Sequence, residues 1–325
     1  MLTAYHHSPG DHCGSASLRN LADYYDWGFD EPACFGLGAG IGFGYHEEGP
    51  TSRMIIGRNA GLEPAFFDHL GLTVSHRDGQ PRDAAWQALE TRLESGPVLC
   101  FVDLYYLPYF GSDTHFGPHT IVVAGIDADT VTISDSEFPE PQLVTRTEFD
   151  AAWSSEYGFG PLDRRWLAVD DPNERTAVED ATRDAVESAT KTMLEGGRGF
   201  GSGGVDAIRA FADELPEWTA FDDVQWMARF AYQNIERRGT GGGAFRRLYA
   251  DFLDTLGTEA DFDPRFGERM HRIADDWTVL GEELRVVSET DDEDERAEHL
   301  IEASEHAQRL ADREEELFED LAAVI

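Results

Sequence analysis

Apolar residues recur at three- and four-residue intervals over residues 14–25, at Leu18, Leu21, Ala22 and Tyr25, which predicts a helix with one buried face ended by Gly28. The same period returns over 84–94 through Trp86, Leu89 and Leu93, closed by Gly96-Pro97. A short helix is predicted over 63–70 and a strand over 72–75, while 98–104 is a continuous β-rich run. Two further strand-like runs, 120–126 and 130–135, flank the acidic turn Asp127-Ala128-Asp129 and predict a hairpin. Strand-like residues persist to Val144, Trp153 marks another helix, and 165–169 reads as the last strand. This mixture predicts an α+β domain over residues 1–170. Strand signals then stop. Helical patterns fill 177–194, 205–215, 222–237, 244–256, 264–288 and 293–322, joined by glycine-rich links at 196–204 and 239–243, which predicts an all-α domain over 171–325. In the last helix Leu300, Leu310, Leu317 and Leu321 stand among Glu and Arg, the pattern of a solvated bundle helix.

The hairpin register carries a chemical consequence. If Ile126 faces Thr130 across a three-residue loop, Ile121 pairs with Asp135, and Val131 and Ile133 share the inner face with Ile121 and Val123. His119 is then on that face, diagonal to Asp135 and within hydrogen-bonding reach. A slip of one residue would turn Asp135 away. In residues 35–44, Phe35-Gly36-Leu37-Gly38-Ala39-Gly40-Ile41-Gly42-Phe43-Gly44, glycine takes every second position, so an extended segment is expected to present one bare face, either to a closely approaching backbone or substrate or to the cysteine helix. It fits neither of the glycine-rich nucleotide-binding patterns.

Cys13 falls at the first turn of the first predicted helix, where free N–H groups and the helix dipole favour a thiolate. Cysteine, then histidine, then aspartate is the chain order of papain-like thiol enzymes, with Cys13 as nucleophile, His119 as general base and Asp135 orienting the ring. An oxyanion would need donors, for which the N–H of Cys13 and a side chain just upstream, His7 or His12, are candidates. His115 is a second candidate base or substrate contact; its spacing to His119 suits a metal pair only on a helix, which Gly117-Pro118 disfavours, so no metal is expected. Arg58 is a candidate anion contact, and Tyr105, Tyr106 and Tyr109 are candidate walls of an acyl pocket or plain core. The 239–243 link leads into a helix bearing Arg246 and Arg247, either an anion site suited to a phosphopantetheine phosphate or a loop with solvated arginines.

The formal charge is −38, and Lys191 is the only lysine. Carboxylates are spread over both halves, so the surface resembles that of proteins from salt-loving organisms, where molar salt screens repulsion over about 3 Å. Nucleic acid is a poor partner for such a surface. The three cysteines, Cys13, Cys34 and Cys100, form no C-x-x-C pair, which argues against a disulfide scaffold or structural zinc. No run is long enough to span a bilayer and no secretory pattern opens the chain, so a cytoplasmic protein is expected.

The segments His12-Cys13, Phe35-Gly36-Leu37-Gly38, Gly57-Arg58, residues 102–109, His115-Phe116, His119 and residues 131–135 resemble the N-terminal domain of the butirosin biosynthesis protein H family, from about residue 6 to residue 168. Residues 239–249 and Trp277 resemble the helical domain of unknown function that commonly follows it. That resemblance implies a papain-like cysteine acyltransferase that takes an acyl chain from an acyl carrier protein thioester to an amine through an acyl-cysteine. It implies no resident cofactor beyond a phosphopantetheine-bound donor, and carries the nucleophile, base and orienting roles onto Cys13, His119 and Asp135. Related peptidases place a glutamine where this chain has His7. A papain-like hydrolase (peptidase, amidase or thioesterase) and a non-catalytic binding protein on the same fold are the alternatives.

Overall fold

The computed structural model describes residues 2–47, 49–197 and 203–325. In chain order its elements begin with α1 (Cys13–Tyr24), α2 (Glu31–Leu37), β1 (Ile41–His46), β2 (Met54–Arg58) and α3 (Leu62–His69). There follow β3 (Val74–Arg77), α4 (Arg82–Leu93), β4 (Val98–Val102), β5 (His119–Ile126), β6 (Thr130–Ser134), β7 (Gln142–Thr145), α5 (Arg146–Trp153) and β8 (Trp166–Val169). The rest is helical: α6 (Val178–Glu195), α7 (Gly204–Glu214), α8 (Val224–Glu236), α9 (Arg246–Phe252), α10 (Arg265–Glu289) and α11 (Glu293–Ala322). The architecture is α+β, as the alternation of periods predicts. The predicted link at 196–204 lies partly outside the described residues.

Two compact units divide the chain, Met1–Cys34 with Gly71–Thr176, and Phe35–Leu70 with Ala177–Ile325. The first holds a six-stranded sheet of order β3-β8-β4-β5-β6-β7, each neighbouring pair antiparallel. Val98, Cys100, Ile121, Val123, Val131 and Ile133 enter one core with Trp86 and Leu89 of α4 and Phe149 and Trp153 of α5. All but the last residue of β5 are buried, because α1 packs against this central strand as well. A capping box at Thr145 and Glu148 starts α5 immediately after β7, fixing the turn from strand to helix.

The β5–β6 register bears on the site. Ile126 pairs with Val131, one residue beyond the predicted partner, and an irregularity between Val123 and Gly125 then shifts the ladder so that Val123 faces Ile133 and Val122 faces Ser134. Carried one residue further, that register sets Asp135 across from Ile121. The longer turn and the bulge compensate each other.

The second unit departs from expectation in its first segment. Residues 35–70 stand with the helices rather than with the sheet, and 35–44 is not one extended stretch: Phe35-Gly36-Leu37 closes α2, and the strand starts at Ile41. Gly36 is bare because a Cβ there would lie 2.0 Å from the Phe252 ring. The antiparallel β1–β2 ribbon is tied to the helices by Arg246, which is fully buried. Its guanidinium donates from one nitrogen to the carbonyls of Gly42 (3.0 Å), Gly57 (2.8 Å) and Ala244 (2.8 Å). Its other two nitrogens each meet the buried Glu314 of α11 at 2.8 Å. Trp277 of α10 donates to the same carboxylate at 2.6 Å, and its ring stacks under the guanidinium at 5.0 Å. Ala244 and Phe245 take left-handed φ values of 52° and 70° just before α9, so the helix predicted over 244–256 begins late. The leucines of the last helix, Leu300, Leu310, Leu317 and Leu321, are all buried, in a helix of 30 residues that packs on α10 and α7.

Breaking one side of a buried ion pair leaves the other charge unpaired, at a cost of about 3–5 kcal/mol. Urea unfolding of R246M and of E314L is expected to show losses of that size, and of R246M/E314L a loss well below their sum. Additive losses would mean that the pair does not act as one unit.

Candidate functional site

α1 begins at Cys13 because His12, extended at φ −112° and ψ 129°, caps it: its ring Nδ1 accepts the N–H of Ser15 at 3.2 Å. Cys13 therefore occupies the first helical position and keeps partial solvent access, whereas Cys34 and Cys100 are buried. The N–H of Cys13 has no hydrogen-bond partner among the described residues and remains available at the helix start.

His119 opens β5, paired with Val102 of β4, and is buried. Its Nε2 meets Oδ2 of Asp135 at 3.0 Å, which leaves Nδ1 for the sulfur of Cys13, with which the ring is hydrogen-bonded. Asp135, fully buried just past β6, accepts the Tyr109 hydroxyl at 3.0 Å and the N–H of Glu137 at 3.2 Å. The predicted register set His119 and Asp135 within hydrogen-bonding reach, and they are bonded here.

Their charges are mutually set. Burial opposes the Cys13 thiolate, but the charges of His12 and His119 and hydrogen bonds from both rings outweigh it and hold this thiol well below its ordinary range. Burial would also lower His119; Asp135 and then Cys13 overcome it and raise the imidazole well above its usual value. Asp135 resists burial and stays below the usual carboxylate range because His119, the Glu137 N–H and Tyr109 stabilise its charge. Burial pushes the Cys34 and Cys100 thiols up instead. A thiolate beside an imidazolium is a nucleophile paired with an acid, the resting state for acyl chemistry at a cysteine.

The other predicted residues fall in three places. His12 stays at the site, buried and in contact with the sulfur. His7 does not serve it: Nε2 donates to the carbonyl of Phe138 at 2.8 Å and Nδ1 meets the Ser134 hydroxyl at 2.7 Å, so the ring ties the N-terminal segment to the β6 strand and has no N–H left for an oxyanion. Tyr109 donates its hydroxyl to Asp135 and packs against the sheet core. His115 forms a separate pair with the buried Asp103 at 2.6 Å, stacked between Tyr105 at 4.1 Å and Tyr157 at 4.0 Å, with Tyr106 at 5.5 Å. Asp103 also accepts the N–H groups of Tyr105 and Phe116 and the Ser155 hydroxyl, so this pair braces the loop before β5.

Arg58 ends β2 in the second unit and donates to its neighbour's carbonyl, Asn59 O, at 3.3 Å. Arg246 is no anion ligand: every nitrogen of its guanidinium is engaged with Glu314 or main-chain carbonyls. Arg247 is paired with Asp275 at 3.0 Å, and the Gly243 N–H is given to Glu236, so the glycine-rich link offers no phosphate cradle. Sequence reasoning missed Glu31 and Asp103, whose partners are largely main-chain N–H groups with no local signature. Among the described residues no helix is long and apolar enough to cross a membrane.

The fold class is α+β, and the first unit sets a buried His–Asp pair beside a cysteine at a helix start. The chain belongs to the family of the domain of unknown function DUF4872, whose model matches residues 147–321, and residues 12–136 ahead of it match the model described as butirosin biosynthesis protein H, N-terminal. The latter match points to an enzyme of acyltransferase type. No curated protein matches the chain.

With Cys13 depressed and His119 raised, the thiolate–imidazolium state should span a broad window from acidic pH to above neutrality. Alkylation of Cys13 by iodoacetamide, followed by peptide mass spectrometry, is expected to reach its plateau well below pH 8, while Cys34 and Cys100 stay unmodified in the folded protein. In D135N the imidazolium loses its carboxylate, so His119 falls, Cys13 rises and the onset moves to higher pH. An unmoved onset would show that Asp135 does not act on the pair.

Proposed function

We propose that the chain is a cysteine-dependent acyltransferase that moves an acyl group from a thioester to an amine through an acyl-Cys13 intermediate. The observation that carries this reading is the His119–Asp135 bond at 3.0 Å coupled to a helix-start cysteine, a residue of intermediate burial, whose thiol is held well below its ordinary range. The Cys13 thiolate attacks the thioester carbonyl, forming a C–S bond and an oxyanion that the Cys13 N–H and the His12 ring face. Collapse breaks the bond to the donor sulfur, which leaves with the proton of the His119 imidazolium. Neutral His119 then takes a proton from the amine as its nitrogen attacks the acyl-cysteine. Expulsion of the Cys13 thiolate restores the ion pair, and the products are one amide and one thiol.

The donor we favour is a phosphopantetheine thioester on an acyl carrier protein, with a small-molecule amine as acceptor and no resident cofactor or metal. Since carrier proteins are usually acidic and this chain carries −38, docking should strengthen as salt screens their repulsion. The carboxylate-rich surface fits an amine acceptor better than a polyanion. Water in place of the amine would make the same residues a hydrolase.

Incubation with an N-acetylcysteamine thioester is expected to add one acyl group to Cys13, seen as an intact-mass shift, and an added amine to release amide. C13A should abolish both, and H119A should slow acylation by about 10²–10⁴-fold. Free acid formed at the same rate with and without amine would make the protein a hydrolase; no acyl group on Cys13 would refute the covalent route.

A further inference from the structure

The buried carboxylate of Glu31 at the start of α2 is used by none of the steps above, yet three donors from the nucleophile loop converge on it. The N–H of Asp11 reaches Oε2 at 3.1 Å, the N–H of His12 reaches Oε1 at 2.8 Å, and the Ser15 hydroxyl reaches Oε1 at 3.1 Å. Glu31 is buried, and its carboxylate oxygens accept all three bonds. The approach depends on Gly10, where a Cβ would lie 2.3 Å from Oε2. Gly10 in turn gives its N–H to Ser136 O at 3.0 Å, one residue past Asp135.

The backbone geometry says what this does. His12 is extended, at φ −112° and ψ 129°, and in an extended residue successive N–H groups point to opposite sides of the chain. Holding the His12 N–H on the carboxylate therefore turns the Cys13 N–H the other way, away from Glu31, where it has no partner among the described residues.

We propose that Glu31 is a positioning residue for the acyl-transfer site: by binding the N–H groups of Asp11 and His12 it orients the Cys13 N–H as the oxyanion donor. The inference rests on the acyl-transfer reading for its catalytic meaning, while its geometry can be read without turnover. Glu31 never touches the reacting atoms. It acts on acylation, which passes through an oxyanion, and leaves alkylation, which does not, unchanged.

The test compares full-length wild type, E31Q and E31D, the last withdrawing the carboxylate from the two N–H groups by one methylene in case E31Q fails to fold. Cys13 acylation by p-nitrophenyl acetate is read beside Cys13 alkylation by iodoacetamide across pH. Loss of an oriented donor should cut the acylation rate constant by about tenfold or more, with apparent KM, the alkylation rate and its pH onset within about twofold of wild type. Acylation unchanged in E31Q and E31D, or acylation and alkylation falling together, would overturn the proposal. The amide proton signals of Asp11 and His12 decide the geometry separately: both should move upfield in E31Q as their bonds to the carboxylate are lost, and signals that stay in place overturn it. If wild type is not acylated while these signals move, the acyl-transfer reading fails and the Glu31 geometry stands.

Discussion

One hydrogen bond, from the His119 ring to the Asp135 carboxylate, underlies the proposed chemistry of this molecule. A buried imidazole without a partner sheds its proton, and a buried thiol without a cation keeps its own. Each group alone would therefore settle neutral and unreactive. Asp135 reverses the first tendency, and the imidazolium so stabilised reverses the second. Tyr109 and the Glu137 N–H matter because they satisfy the carboxylate where water cannot reach it. The sheet supplies the geometry: His119 is the first residue of β5 and Asp135 follows the last of β6, so the strand register decides whether they meet.

The second unit contains an ion pair just as buried, between Arg246 and Glu314, and the contrast between the two is instructive. There the arginine cannot give up its proton, every donor is spent, and a tryptophan closes the carboxylate. That pair joins a β-ribbon to long helices and has no group left to react. In the first unit the cation is a histidine, whose proton can leave, and its second nitrogen faces a sulfur. Burial and pairing are shared; proton mobility separates a structural pair from a chemical one.

Much of this was legible in the sequence because it rests on periodicity. The 3.6-residue pattern placed Cys13 at a helix start, and alternation in residues 119–135 placed His119 and Asp135 on one face. The register was reached through two departures that cancel, a longer turn and a bulge beside Gly125, a glycine inside a strand that is itself a bulge signal. Side chains whose roles are set by distant partners were not legible. His7 sits where a spacing argument expects a donor, but Ser134 and Phe138 claim both nitrogens. Arg246 follows a glycine-rich link that looks like an anion loop, but Glu314 lies far along the chain. Residues 35–70 interrupt the first unit, and no composition change marks that excursion because the ribbon is as apolar as the sheet.

The proposed chemistry depends most directly on the charge state of one sulfur. Ultraviolet absorbance of the thiolate, taken as wild type minus C13A across a pH titration, reads that state without any substrate. The coupled pair predicts a thiolate signal that persists far below pH 9, the ordinary thiol value, and that shifts to higher pH in H119A. A Cys13 that ionises only near pH 9 and is indifferent to His119 would contradict it.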